Sequence, residues 1–165
     1  MATAIVHYHL GFMEFEVVQM SDSDLSEVAE IEELAQLSKW GYETYKKELG
    51  ENPDAIMLVA KNLIPVKPYF AVLGFLAAWV VADEMHINNI GTHPDFRRLG
   101  VGKALLEEAL TEGHMRGANF CLLEVRISNR AAISLYQSFG FEAVGRRGNY
   151  YTFPMEDALV MQKKL

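Results

Sequence analysis

The chain of 165 residues contains one cysteine, Cys121, so no disulfide can close within it. No Cys/His cluster has the spacing of a zinc site, which leaves no metal to expect. A lone cysteine without a disulfide framework suits a reducing compartment, and the expected location is the cytoplasm. Proline is sparse, at 5, and glycine no more than ordinary, at 12, which excludes collagen-like and disordered chains. The longest nearly continuous apolar stretch, Tyr69 to Ala82, falls short of the 18 or more residues of a spanning helix. The first ten residues, MATAIVHYHL, have no basic region and no clear cleavage signal, so neither membrane insertion nor secretion is expected. Excess positive charge is missing too. The net charge of −7 argues against a direct, broad electrostatic grip on nucleic acid.

Half of the residues are apolar, which suffices for a core, and no repeat or long linker divides the chain. One domain over residues 1–165 is expected, with residues 1–11 as an N-terminal extension. Charge is uneven: residues 1–96 carry 5 Lys/Arg against 15 Asp/Glu, and residues 97–165 carry 10 against 7. Such asymmetry suits an anionic cofactor beside a cationic substrate, or merely solvated faces. Phe12 to Met20 alternates like a strand, Ser21-Asp-Ser-Asp offers helix caps, and Leu25, Val28, Ile31 and Leu34 recur at helical spacing. A second helix is expected over Ser38 to Leu49. Ala55 to Ala60 and Tyr69 to Ala82 read as a hairpin, joined through Pro65 and Pro68, and Glu84 to Thr92 as a further strand. A helix follows Gly102. Asn119 to Arg126 then reads as a strand, and Ser128-Asn129 caps a helix through Phe139. Phe141 to Arg147 and Asp157 to Met161 are expected as final strands flanking an aromatic loop. The order predicts a mixed α/β or α+β sheet protein.

Arg97-Arg98-Leu99-Gly100-Val101-Gly102-Lys103 lies between a strand and a helix, where unpaired N–H groups and the helix dipole favour an anion. It is not a Walker A loop, because Arg97 replaces the first glycine and Ala104 the Ser/Thr. Nor is it a dinucleotide fingerprint, since Leu105 occupies the third glycine position. A plain helix-start turn is the alternative. Three further groups accompany it: Leu123-Glu-Val-Arg-Ile-Ser-Asn129; Ala132-Ile-Ser-Leu-Tyr136 with Phe139-Gly-Phe141; and Arg146-Arg-Gly-Asn-Tyr150-Tyr151 leading to Glu156-Asp157-Ala158.

Together these motifs resemble the GNAT (Gcn5-related N-acetyltransferase) superfamily, and within it the RimI-type ribosomal-protein alanine N-acetyltransferases. The resemblance is specific over about residues 85 to 165. It implies a mixed, mostly antiparallel sheet of about seven strands flanked by helices and splayed at an acetyl-CoA site. By the same resemblance, the backbone of Ile90, Gly91 and Thr92 pairs with the pantetheine arm, Asn129 hydrogen-bonds it, and Arg97 to Lys103 hold the pyrophosphate. Two departures stand out: the proline-rich connection from Lys61 to Pro68 is longer than a minimal hairpin, and the first ten residues have no family counterpart.

Glu124 lies in the apolar run Phe120 to Val125, where burial would raise a carboxylate's pKa toward that of a useful base. Arg126 projects to the same strand face, so from the residues alone an ordinary Glu124–Arg126 ion pair is favoured. The resemblance reverses that order and makes Glu124 the proton acceptor, directly or through water. Tyr136 reads as a packed tyrosine; the resemblance makes it the donor to the CoA thiolate. Tyr150 and Tyr151 are expected to wall a peptide entrance or to cover the core edge. His86, His93 and His114 read as structural, and Cys121 as a buried, inert thiol. The implied activity is acetyl transfer from acetyl-CoA to a protein N-terminus, an N-terminal alanine of a ribosomal protein, by a monomer or weak dimer. The alternatives are a small-molecule or lysine acceptor on the same fold, and a non-catalytic acyl-CoA-binding module.

Overall fold

A computed structural model describes residues 6–10, 13–37, 39–64 and 71–165. Eight strands form one sheet: β1 (Val6–Leu10), β2 (Met13–Gln19), β3 (Ala55–Asn62), β4 (Val72–Val81), β5 (Glu84–Thr92), β6 (Phe120–Arg126), β7 (Glu142–Thr152) and β8 (Met155–Lys164). Their spatial order is β1-β2-β3-β4-β5-β6-β8-β7, and every neighbouring pair is antiparallel except β5 and β6. Among the described residues four α-helices accompany the sheet: α1 (Leu25–Leu34), α2 (Gly41–Glu51), α3 (Val101–Met115) and α4 (Arg130–Ser138). Among the described residues no helix is long and apolar enough to cross a membrane.

The mixed, mostly antiparallel sheet agrees with the expected architecture, with two local corrections. Val6–Leu10, read from the sequence as part of an extension, pairs with β2 from Val6↔Val17 to Leu10↔Met13. This pairing satisfies the backbone edge that β2 would otherwise present. Tyr150 and Tyr151 belong to strand β7 and not to a loop, because β7 runs on to Thr152 before the turn into β8. The proline-bearing connection lies partly outside the described residues, 65–70 being among those not described.

The continuous apolar run of β4 has a simple cause, since both of its faces are covered. Val72, Phe75 and Ala77 pack with Leu25, Val28, Ile31 and Tyr45 from α1 and α2. Leu73, Leu76 and Ala78 point the other way, into a core with Leu105, Leu106 and Ala109 of α3. A strand buried on both faces loses its polar alternation. At Ser21 the sequence signal is met by a capping box: the Asp24 carboxylate accepts hydrogen bonds from the Ser21 N–H at 2.8 Å and the Ser21 hydroxyl at 2.7 Å.

Two features shape the middle of the sheet. Parallel pairing of β5 with β6 runs from Glu84↔Phe120 to Ile87↔Leu123 and stops there. On the other side of β5 the register with β4 jumps between Ala77↔Asn89 and Ala78↔Ile87, leaving Asn88 as a bulge residue. A bulge bends its strand and increases local twist, so β5 turns away from β6 at this point. Beyond it, Gly74 is the place where β4, β5 and α3 meet. A Cβ there would stand 2.7 Å from the Gly91 carbonyl oxygen and 2.9 Å from Val101 Cγ1.

At the far edge, Asp157 holds an irregular stretch of β7. Its carboxylate accepts hydrogen bonds from Arg146 Nε at 2.5 Å and from the Asn149 N–H at 2.8 Å, with Asn149 at φ 51°. The Asn149 N–H, then the Arg146 guanidinium, hold the Asp157 carboxyl below its usual range.

Two outcomes follow from this packing. Gly74→Ala places its methyl against a backbone oxygen that cannot rotate away, so it is expected to lower unfolding free energy by about 1–3 kcal/mol in chemical denaturation. The Asp157 clamp contributes fully above the ordinary aspartate pKa and is lost as pH falls through the depressed value. Exchange protection of the Asn149 amide is therefore expected to fall in acid, and Asp157→Asn to remove that pH dependence.

Candidate active site

Where β5 and β6 part, Asn88–Thr92 and Glu124–Arg126 diverge, and among the described residues no strand takes the vacated edge of β5. A cavity of about 320 Å³ opens between them. Its walls are Asn88, Asn89 and Ile90 of β5, Leu123 to Arg126 of β6, residues 35–37 after α1, Asn129, Ala132 and Tyr136, and Tyr151 of β7. The splay expected at this point of the sheet is thus present.

A second cavity, of about 470 Å³, adjoins the first and shares Ala35, Leu37, Ile90, Asn129, Ala132 and Tyr136 with it. Gly91, Thr92, Arg97, Arg98, Gly100, Val101, Gly102 and Lys103 line its other side. Gly100, at φ 76°, is the N-cap of α3, and Arg98 also has a left-handed backbone, at φ 65°. Ala104 makes the first bond of the helix, onto the Gly100 carbonyl at 2.9 Å. The N–H groups of Val101, Gly102 and Lys103 precede it, where a helix offers its own backbone no acceptor. A Cβ on Gly102 would meet nothing nearer than Thr92 Oγ1 at 3.5 Å. Protein packing therefore does not demand glycine there, whereas a ligand lying close to the backbone would. Leu99 is the exception in this turn: its side chain is exposed and does not line the cavity.

Tyr136, on α4, borders both cavities and is 5 % exposed. Burial, then the neighbouring Tyr151 and Cys121, push its hydroxyl pKa up, so it carries its proton at neutral pH. Asn129 caps α4, its Oδ1 accepting the Ala132 N–H at 3.1 Å, while also bordering both cavities. Both residues sit where the helix start, read from Ser128-Asn129, puts them.

Glu124 departs from expectation in two ways. Its side chain is 28 % exposed, so the apolar run around it does not bury it, and it pairs with Arg147 Nη2 at 3.2 Å. Arg126 is engaged elsewhere. It donates to the Phe153 and Pro154 carbonyls at 2.9 and 3.1 Å, reaches Glu156 at 3.4 Å and lies 4.1 Å from the Tyr151 ring centroid. The ion pair favoured on residues alone, Glu124–Arg126, is therefore replaced by two pairs, Glu124–Arg147 and Arg126–Glu156. Sequence reasoning missed Arg147 because a residue two strands away in the sheet gives no spacing signal.

A third, larger cavity of about 940 Å³ shares Gln36, Leu37, Arg126 and Tyr151 with the first. Glu33, Lys39, Tyr150, Thr152 and the turn residues Phe153 and Pro154 also line it. Tyr150 and Tyr151 thus meet at the outer mouth, with ring centroids 5.2 Å apart. Burial, then Tyr150, push the Tyr151 hydroxyl up to about 12. Residues 35–37, between α1 and α2, border the first cavity and carried no sequence signal.

His93 is buried, its Nδ1 accepting the Asp95 N–H at 3.2 Å, and His86 faces Glu84 at 3.1 Å. Cys121 is buried, and burial pushes its thiol up to about 12, far from thiolate reactivity.

Three cavities in a row, with an anion-ready turn at one end and aromatic residues at the other, invite comparison with known proteins. The sequence is 36% identical over 145 residues to a putative [ribosomal protein bS18]-alanine N-acetyltransferase of Bacillus subtilis, spanning 88% of this chain and 92% of that protein. Its identity to the [ribosomal protein bS18]-alanine N-acetyltransferase of Escherichia coli K12 is 35% over 147 residues, spanning 88% and 94%. The crystal structure of the Escherichia coli ribosomal-protein-S18-alanine N-acetyltransferase superposes with a TM-score of 0.78 at 34% identity, covering 91% of this chain and 93% of that one. The model of the Acetyltransferase (GNAT) family matches residues 22–141, from the start of the helical face through the parted strands to the end of α4. The chain belongs to the GNAT acetyltransferase family.

Proposed function

We propose that the chain transfers an acetyl group from acetyl-CoA to the N-terminal α-amine of a protein, an N-terminal alanine of a ribosomal protein, in the cytoplasm. The observation that supports this most directly is that Glu124 and Tyr136 border one cavity, which joins the anion-ready turn on one side and an open mouth on the other. Relatives named for acetylating the alanine of ribosomal protein bS18 support the acceptor.

The residues fit acetyl-CoA along its length. The first-turn amides of α3, with Arg97, Arg98 and Lys103, suit its diphosphate, and Gly102 leaves the approach bare. The open edge of β5 at Ile90–Thr92 suits the amide-bearing arm, as an added strand would pair, and Asn129 stands beside it. When bound, this group supplies an electrophilic thioester carbonyl.

The rest of the chemistry falls to the chain. An α-amine has a pKa of about 7.7–8.0 against about 10.4 for lysine, so at neutral pH a useful fraction already has its lone pair free. Glu124 takes the one proton that the amine nitrogen loses as it bonds to the acetyl carbon. Tyr136 gives one proton to the sulfur as the carbon–sulfur bond breaks. Tyr150 and Tyr151 wall the peptide's path at the mouth.

Glu124→Gln and Tyr136→Phe are each expected to lower kcat by about 10²–10³-fold while acetyl-CoA binding, followed by calorimetry, stays within about twofold, because neither side chain holds the diphosphate. Wild-type turnover in both variants would overturn the mechanism. Gly102→Ala is expected to leave the melting temperature unchanged or slightly raised, since alanine favours a helix and finds room there, yet to weaken acetyl-CoA binding at least about tenfold by filling the approach to the first-turn amides. Mass spectrometry of products from peptides with free or blocked N-termini tests the acceptor; acetylation of only lysine side chains or small amines would refute it.

A further inference from the structure

Two arginines stand on the same face of the β6–β8–β7 corner, and they are held in different ways. Arg126 is fixed by two backbone carbonyls, a carboxylate and an aromatic ring. Arg147 has a side chain 58 % exposed; its recorded partners are the Glu124 carboxylate at 3.2 Å and the ring of Tyr150, whose centroid lies 5.5 Å away. It gets there by lying across β8. Arg147 is paired with Ala158, and Glu124 with Val160, so all four residues share one face and the small Ala158 leaves the crossing clear. The β7 register breaks just after Arg147, where Asp157 holds Arg146 and Asn149. The backbone on either side of Arg147 is thus tied down, and its half-exposed guanidinium is held by Glu124 and Tyr150.

A guanidinium so placed compensates the one carboxylate that the reaction needs. We propose that Arg147 is a specificity-determining residue: as the resident counter-cation of Glu124, it disfavours acceptors that arrive as ammonium ions and so selects α-amines over lysine side chains. This rests on the acetyl-transfer reading above. An incoming ammonium meets a carboxylate whose charge is already matched, with a like charge beside it; a neutral amine meets no such repulsion. At pH 7 about a tenth or more of α-amines are neutral, against roughly one lysine in 2,500. Arg147 widens that difference by withholding the attraction a bare carboxylate would offer the lysine ammonium. The Tyr150 ring, 5.5 Å from the guanidinium, helps to hold Arg147 beside Glu124 by cation–π attraction.

The test compares wild type, Arg147→Gln and Arg147→Lys on two peptides of one sequence. One has a free N-terminus and no lysine; the other has a blocked N-terminus and a lysine. Initial rates are read by mass spectrometry, and folding is checked by thermal melting. Arg147→Gln is expected to raise the ratio of lysine to α-amine kcat/KM at least about tenfold, and Arg147→Lys, which keeps the charge, to stay within about twofold of wild type. An unchanged ratio in folded Arg147→Gln would overturn the proposal. So would parallel loss of both activities, which would instead make Arg147 part of the proton-accepting machinery. Wild type that acetylates neither peptide would refute the acetyl-transfer reading itself, a separate result.

Discussion

Everything at the candidate site depends on two parallel strands ceasing to pair. Up to Ile87↔Leu123, β5 and β6 satisfy each other's backbone; from Asn88 and Glu124 onward they do not. Unpaired backbone inside a sheet is costly unless something else takes its hydrogen bonds. Beyond the gap, the β6-facing edge of β5 has no neighbouring strand among the described residues. The same divergence gives the β6 side chain at position 124 a cavity to face. Continuous pairing would have produced a closed sheet with Glu124 as one more paired surface charge.

The parting is not left to the bulge alone. Glu32 on α1 is 3 % exposed and accepts hydrogen bonds from the Trp40 and Gly41 N–H groups at 2.8 and 2.9 Å, the Tyr45 hydroxyl at 2.8 Å and Asn89 Nδ2 at 3.2 Å. Asn89 also donates to the Tyr45 oxygen at 2.9 Å. Desolvation, followed by the Glu32 charge, drives the Tyr45 pKa far up, so its hydroxyl remains a donor. A carboxylate at the N-terminus of α2 is favoured by the helix dipole, and a buried one is tolerable only when its oxygens are this fully engaged. One side chain thus links the start of α2 to the residue beside the bulge. Residues 35–37, which line the first cavity, lie on the connection spanned by that link.

What could be read from the sequence was local. The Asn129 cap, the Ser21–Asp24 capping box and the glycine-bearing turn each depend on residues within a few positions, and each stands where its motif stood. The run Tyr69 to Ala82 was legible as one strand of a hairpin, and Val72–Val81 of it is β4, paired with β3. Long-range features were silent. Arg147 reaches Glu124 over an intervening strand, and Glu32 collects partners from α2 and from β5, so no short window holds either set. The aromatic pair was misplaced into a loop because Gly148 and Asn149 look like a turn. The strand continues through them, since Asp157 takes the Asn149 N–H that a regular ladder would have used. Glu124 shows the limit most clearly. An apolar flank predicts burial, yet alternation in a strand sends its neighbours inward and Glu124 outward, into the cavity.

The charge asymmetry between the two halves of the chain also changes meaning once the partners are known. In the basic half, Arg116 pairs with Glu112, Arg126 with Glu156, Arg146 with Asp157 and Arg147 with Glu124. These cations are matched where they stand, and with screening over roughly 10 Å at ordinary ionic strength they add little field at a distance. Arg97, Arg98 and Lys103 differ because they border the cleft beside the first turn of α3, adding to its backbone dipole. Three of the ten cations of this half thus stand together in one turn of seven residues. That arrangement puts the cations of the turn beside one cavity, while the cavity next to it holds the carboxylate of the Glu124–Arg147 pair.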